Sequence, residues 1–188
     1  MIDTFTLLIG TLAYLIGAIP TGYLIAQLKG ITDIRKHGSG NIGATNVSRV
    51  LGKQYFFLIF FLDAGKAYLF IHLIQQYFDF DQLCFFAGIL LFGNGYSIFL
   101  RGSGGKGVAT LFGLLVALSK QTALILFAIW TVLLLITQTI GIASVGTAVW
   151  LPFCTYTLHN PPLFIFSLFA AFWLIQSHRS NIVAYWNR

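Results

Sequence analysis

Two glycine-rich polar segments and one His/Asn pair in this chain have the residue types needed to hold an anion. The first, Gly30 to Lys53, reads GITDIRKHGSGNIGATNVSRVLGK and is the longest polar stretch. Gly38–Ser39–Gly40–Asn41–Ile42–Gly43 sets three glycines within six residues, so backbone N–H groups can approach a ligand closely and form an anion nest. Thr45, Asn46, Val47, Ser48 and Arg49 then read as a helical turn. From it Arg49 can offer a bidentate guanidinium to phosphate oxygens. The plainer reading is a polar interfacial loop whose basic residues snorkel to lipid headgroups.

The second segment, Arg101–Gly102–Ser103–Gly104–Gly105–Lys106–Gly107, leads through Val108–Ala109–Thr110 into an apolar helix. A glycine turn entering a helix N-terminus favours negative charge through its orphan N–H groups and dipole, and Lys106 adds a full cation. It is not a Walker A loop, because Leu100 stands where the first Gly belongs and Gly107 follows the lysine, so ATP is not implied. The third feature is Ser177–His178–Arg179–Ser180–Asn181. His178 and Asn181 share a face at i, i+3 if the last helix continues to them. His can donate to a phosphate or move a proton near neutral pH; Asn can only hydrogen-bond. A weaker feature, Gly141–Ile142–Ala143–Ser144–Val145–Gly146, reads as close helix packing.

These residues must be positioned by apolar elements. The chain has 188 residues, of which 57% are hydrophobic and only 9% charged, against about 25% in an ordinary soluble domain. Mean hydropathy is +0.84. A bilayer resolves that imbalance, with aromatic rings anchoring at its interfaces. Seven apolar stretches, near 5–28, 54–77, 83–100, 107–119, 121–138, 141–158 and 163–177, predict an all-α seven-helix transmembrane bundle forming one domain over residues 1–188. The fourth and seventh are short for a straight span of about 20 residues. Net charge is +6. The basic residues lie between apolar spans, which points to membrane orientation and anionic ligands rather than nucleic acid.

Placing the N-terminus outside puts Lys29, Arg35, Lys36, Arg49, Lys53, Arg101, Lys106, Arg179 and Arg188 on the cytoplasmic side. That is nine of eleven basic residues, so the positive-inside rule selects N-out, C-in. Lys120 falls outside, and Lys66 lies within the second span. There it pairs with Asp63 at i, i+3, or one of the two sits at a cavity edge. Asn94 is open in the same way. Cys84 and Cys154 read as small buried hydrophobes. No His/Asp/Glu cluster has metal-ligand spacing, so no metal and no cofactor is expected.

Taken in order, residues 17–53 (GAIPTGYLIAQLKGITDIRKHGSGNIGATNVSRVLGK), 101–110 (RGSGGKGVAT) and 178–182 (HRSNI) resemble the bacterial acyl-phosphate-dependent glycerol-3-phosphate acyltransferases, the PlsY family. The likeness covers nearly the whole chain. It implies transfer of an acyl group from acyl phosphate to the 1-hydroxyl of glycerol 3-phosphate at a cytoplasm-facing site in the bacterial inner membrane, giving lysophosphatidic acid and phosphate in phospholipid biosynthesis. By matching motif positions it implies substrate-binding roles for Ser39, Gly40, Asn41, Thr45, Asn46, Arg49, Gly104, Gly105, Lys106 and Gly107. It implies catalytic roles for His178, Asn181 and Ser144, the last matching a serine near the donor phosphate. A monomer working on its two substrates and membrane lipid is expected. The chain departs from the family at Asn94, where His is common, at Gly102–Ser103, where Phe-Lys is common, and at Ser180, where Glu or Lys is common. The phosphate ligands are kept, so activity is expected to be kept. The competing reading is a transporter of an organic phosphate, against which stands the absence of an evident inverted repeat.

Overall fold

The computed structural model describes residues 3–187, and these are helical throughout apart from their connections. Arg188, counted above with the cytoplasmic basic residues, lies outside them. The first predicted stretch is two helices, α1 (Thr4–Ala18) and α2 (Thr21–Leu28), bent by 43°. The Asp3 carboxylate starts α1 by accepting from the Thr6 amide at 2.7 Å, as an N-cap does. Pro20 ends it, since proline disfavours helical geometry in the residue before it.

Breaking a helix in hydrocarbon frees carbonyls that must find donors inside the protein. Lys66 supplies two: its Nζ donates to Gly17 O at 3.3 Å and Ile19 O at 2.8 Å. The Ser97 hydroxyl donates to Ala18 O. Asp63 lies 2.7 Å from Lys66 Nζ and accepts from the Thr21 hydroxyl at 2.8 Å. The two intramembrane charges therefore pair with each other and close the break between α1 and α2.

The polar segment after α2 contains a short 3-10 turn at Ile34–Lys36 and then α3 (Ala44–Leu51). Next come α4 (Gln54–Ile74) and α5 (Phe80–Gly95), the latter opened by a capping box between Asp79 and Gln82. Then follow α6 (Val108–Leu118), α7 (Lys120–Thr137), α8 (Ile140–Tyr156), α9 (Pro161–Ser177) and α10 (Arg179–Trp186). The apolar stretches read from the sequence thus land within a few residues of the helices.

Glycines bring backbones together, as small residues do in membrane bundles. A Cβ at Gly17 would overlap the Leu90 carbonyl of α5, and one at Gly113 would overlap the Ala64 carbonyl of α4. Large apolar side chains such as Leu7, Phe61, Leu124 and Ile136 stay exposed on the outside.

Three helices are long and apolar enough to cross a bilayer, or five when α1/α2 and α9/α10 each count as one bent span. The shorter apolar helices α6 and α8 stand beside them. Eleven residues rise only ~17 Å, about half of a ~30 Å hydrocarbon core, so α6 cannot reach both interfaces. With Gly113 level with Ala64, counting along the helices puts residues 106–107 about one turn inside the start of α4. Leu118 then ends roughly 7 Å short of the end of α4. The glycine turn before α6 is therefore sunk into the bundle.

Lys66→Met should leave Asp63 charged with only the Thr21 hydroxyl beside it and take one donor each from Gly17 O and Ile19 O, costing about 3–5 kcal/mol. The measurement is thermal unfolding in detergent; Lys66→Met with Asp63→Asn should recover part of that loss.

Candidate active site

The loop between α2 and α3 is built around one side chain. Asn46 is 2% exposed. Its Oδ1 accepts from the Ser39 amide at 2.7 Å, and its Nδ2 donates to His37 O at 2.9 Å and Asn41 O at 2.8 Å. Both amide hydrogens are used, so Asn46 shapes the loop instead of reaching into open space. Gly38 and Gly40 hold φ of +58° and +73°, a region open to glycine, and a Cβ at Gly38 would overlap the Asn46 amide. Asn41 Oδ1 accepts from the Gly43 amide at 2.8 Å, an Asx turn that delivers the chain into α3. Thr45 and Arg49 follow at i, i+4 on one face of α3. Among the described residues the side chains of Ser39, Thr45 and Arg49 have no hydrogen-bond donor or acceptor on another residue.

Arg35, by contrast, is consumed. Its guanidinium grips Asp33 with two 2.9 Å bonds and lies over the Tyr23 ring, while Nη1 donates to Leu100 O at 3.4 Å. The Arg35 hydrogen bonds hold the Asp33 carboxyl down at about 2. This pair fastens the first glycine loop to the turn that precedes the second.

In the second loop the Gly105 amide donates to Asn94 O at 2.9 Å, and a Cβ at Gly104 would overlap the carbonyls of Asn94 and Gly95. Asn94 itself is buried, with its amide against Gly105. The position where the family departs is thus part of the cradle under the loop. Gly107, at φ +88°, turns the chain into α6 beside Leu91 and Trp173. Burial pushes the Lys106 ammonium down from its usual range, and the nearby positive charge of Arg49 adds to this. Arg49 is thus near enough for its charge to act on Lys106.

Lys106 Nζ donates to Asn181 Oδ1, and the Ser177 hydroxyl donates to Lys106 O at 3.2 Å. His178 sits at the joint between α9 and α10, just past the apolar span, and is 3% exposed. Its Nδ1 lies 2.8 Å from Leu174 O. A carbonyl only accepts, so Nδ1 carries the hydrogen and Nε2 keeps a lone pair. Burial, then the charge of Lys106, push His178 down to about 4, so it is neutral at physiological pH. Gly141 opens α8 against Asn181, where a Cβ would overlap the Asn amide.

Ser144 lies one turn further along α8 and is 1% exposed. Its hydroxyl donates to Ile140 O at 2.9 Å and accepts from the Trp130 indole at 3.2 Å. That places it in an α7–α8 contact. Trp173, which no sequence motif marks, packs on Gly95 and Gly107, and its buried indole N–H has no partner among the described residues. Its position four residues before Ser177 is the only local signal for it.

A family model described as Glycerol-3-phosphate acyltransferase matches residues 7–188. A glycerol-3-phosphate acyltransferase of Jannaschia sp. (strain CCS1) is 39% identical, covering 97% of this chain and 91% of that protein. One from Thermosipho melanesiensis (strain DSM 12029 / CIP 104789 / BI429) is 38% identical over 91% of this chain and 84% of its own length. The crystal structure of PlsY (YgiH), an integral membrane glycerol 3-phosphate acyltransferase, in its glycerol 3-phosphate form superposes with a TM-score of 0.88 at 35% identity. It covers 95% of this chain and 90% of that one. The lysophosphatidic acid form gives 0.86 at 34% identity, with the same coverage.

Asn46→Ala should release three backbone groups of the 37–46 loop, each unpaired group costing about 1–3 kcal/mol. Tryptic cleavage after Arg35 and Lys36 should accelerate at least tenfold, read by mass spectrometry of timed digests, with the helices still folded.

Proposed function

The chain belongs to the glycerol-3-phosphate acyltransferase family, and on that footing we propose that it moves a fatty acyl group from acyl phosphate to the 1-hydroxyl of glycerol 3-phosphate. The products are lysophosphatidic acid and inorganic phosphate. It is an all-helical integral membrane enzyme of the PlsY fold. The observation that carries the substrate reading is the presence of two cations, Arg49 and Lys106, that among the described residues pair with no carboxylate.

Acyl phosphate is already activated, because phosphate leaves readily. The protein has mainly to align two anions and screen their repulsion. Arg49 and Lys106 neutralise phosphate charge, with N–H groups of the 38–43 loop and of the 104–107 turn at the start of α6 helping. Ser39 and Thr45 add hydroxyl donors beside Arg49. Asn181 holds Lys106 in place and exchanges that bond for one to substrate. The glycerol hydroxyl oxygen attacks the acyl carbon, the new ester C–O bond forms, and the bond from acyl carbon to phosphate oxygen breaks. The hydroxyl proton passes to a substrate phosphate, to water or to the bare Nε2 of His178. At about 4, His178 is a weak base, so orienting the hydroxyl as a hydrogen-bond acceptor suits it better than full proton abstraction. Ser144 reaches the donor phosphate only by exchanging its bond to Ile140 O, and Asn46 supports the loop from behind.

Seven crossings, with the N-terminus outside and the site toward the cytoplasm of a bacterial inner membrane, complete the reading, with one chain as the working unit. That count takes the short α6 and α8, each extended by its connecting turns, together with the five longer or bent spans. The basic residues of the loops supply the orientation.

Detergent-purified protein given palmitoyl phosphate and radiolabelled glycerol 3-phosphate should make labelled lysophosphatidic acid, and palmitoyl-CoA in a parallel tube should not replace the donor. Product from palmitoyl-CoA alone would overturn the donor assignment. Arg49→Ala and Lys106→Ala should each lower kcat/KM by about 10²–10³; wild-type rates in both would refute the cation-pair mechanism. In intact cells, Ser103→Cys should resist a membrane-impermeant maleimide that labels Asn160→Cys; the reverse pattern would invert the topology.

A further inference from the structure

Among the cations that the acyl-transfer mechanism does not use, Lys120 is the one that breaks the charge asymmetry of the loops. Lys120 opens α7 at the end of the bundle opposite the active site. It is exposed and pairs with no carboxylate: the ion pairs among the described residues are Asp33–Arg35 and Asp63–Lys66. A groove of about 410 Å³ runs from Lys120 between α6 and α7, walled by Phe112, Val116, Ala123, Leu124 and Phe127. Apart from Lys120 every wall is hydrocarbon. Its inner end is closed by rings, with Phe112 5.9 Å from Phe127 and 5.7 Å from Phe60. From Lys120 to Phe127 is two turns of α7, ~10 Å. The shortness of α6 leaves the α6–α7 turn roughly 7 Å inside the end of α4, so a notch opens toward the far leaflet. Lys120 is exposed at this turn, and a lysine stem is long enough to carry its ammonium toward headgroups.

We propose that this notch is a binding site for an anionic glycerophospholipid of the leaflet opposite the active site. Its phosphate sits on the Lys120 ammonium, and the upper part of one acyl chain lies in the α6–α7 groove. Charge complementarity selects the occupant: a bare cation at the mouth of an apolar groove matches a phosphate at the head of a hydrocarbon chain. A zwitterionic lipid offers the same chain without net charge. A free phosphate offers no chain, and a single exposed lysine is a weak site for it.

The test is native mass spectrometry of the purified, delipidated protein after exchange into micelles holding phosphatidylglycerol or phosphatidylcholine of identical chains. Wild-type protein should retain one phosphatidylglycerol in preference to phosphatidylcholine. Lys120→Gln should lose about fivefold of that retention, the worth of one lysine beside an anionic headgroup. Leu124→Asn, at a position 70% exposed, should weaken retention of the chain while Lys120 is intact. Both variants should keep acyl transfer from palmitoyl phosphate, which reports that they are folded. Equal retention of the two lipids, equal phosphatidylglycerol retention by wild type and Lys120→Gln, or competition by inorganic phosphate at the same concentration would each overturn the proposal.

Discussion

Leaving Arg49 and Lys106 without a carboxylate partner among the described residues is the condition that the rest of the site serves. The chain contains no Glu and five Asp. Two of those are tied up, Asp33 by Arg35 and Asp63 by Lys66, and Asp3, Asp79 and Asp81 lie at the end of the bundle away from the loops. Like charges at close range repel, and burial raises the cost. The strain shows in Lys106, whose ammonium is pushed down first by burial and then by Arg49. Under the proposed mechanism a dianionic substrate removes that cost, and the uncompensated charge becomes binding free energy.

Such a pair can persist only on a rigid frame. The frame consists of backbone held at contact distance by glycines and of polar side chains spent on backbone groups. Asn46 binds three groups of its own loop, Arg35 joins that loop to the turn before the second, and the Asn94 and Gly95 carbonyls cradle Gly104 and Gly105. The membrane makes the same demand at the α1/α2 break, where Lys66 and Ser97 satisfy the carbonyls that Pro20 sets free. With no water to take their place, each such bond is part of the fold.

The departures from the family pattern fit this frame. Asn94 keeps its buried position under Gly105 and contributes its carbonyl, which any residue would supply. Gly102 and Ser103 stand on an exposed turn away from the Lys106–Asn181 contact. The lysine common at position 103 is replaced by Ser here, while Arg49, Lys106 and the glycines of both loops remain.

The amino-acid sequence by itself determined the helical, membrane-embedded character, most helix limits, and the three segments proposed as the site. Those are local properties: hydrophobic length, glycine spacing, and the sign of each side chain. It also determined the family, because GSGNIGATN and GGKGVAT are rigid in order and spacing. The tertiary structure alone decided which polar side chains are spent within their own loop and which reach across the bundle. Asn46 and Asn181 are the same side chain within motifs of equal standing, yet one is spent on its own loop and the other reaches Lys106, 75 residues away. Arg35 and Arg49 are likewise equal in sequence, and Asp33 separates them by claiming the first. Ser144 turned out to sit between Ile140 and Trp130. Hydrogen-bond partners across long sequence separations depend on how helices pack, and packing depends on side-chain shape summed over the whole bundle, which no single segment encodes.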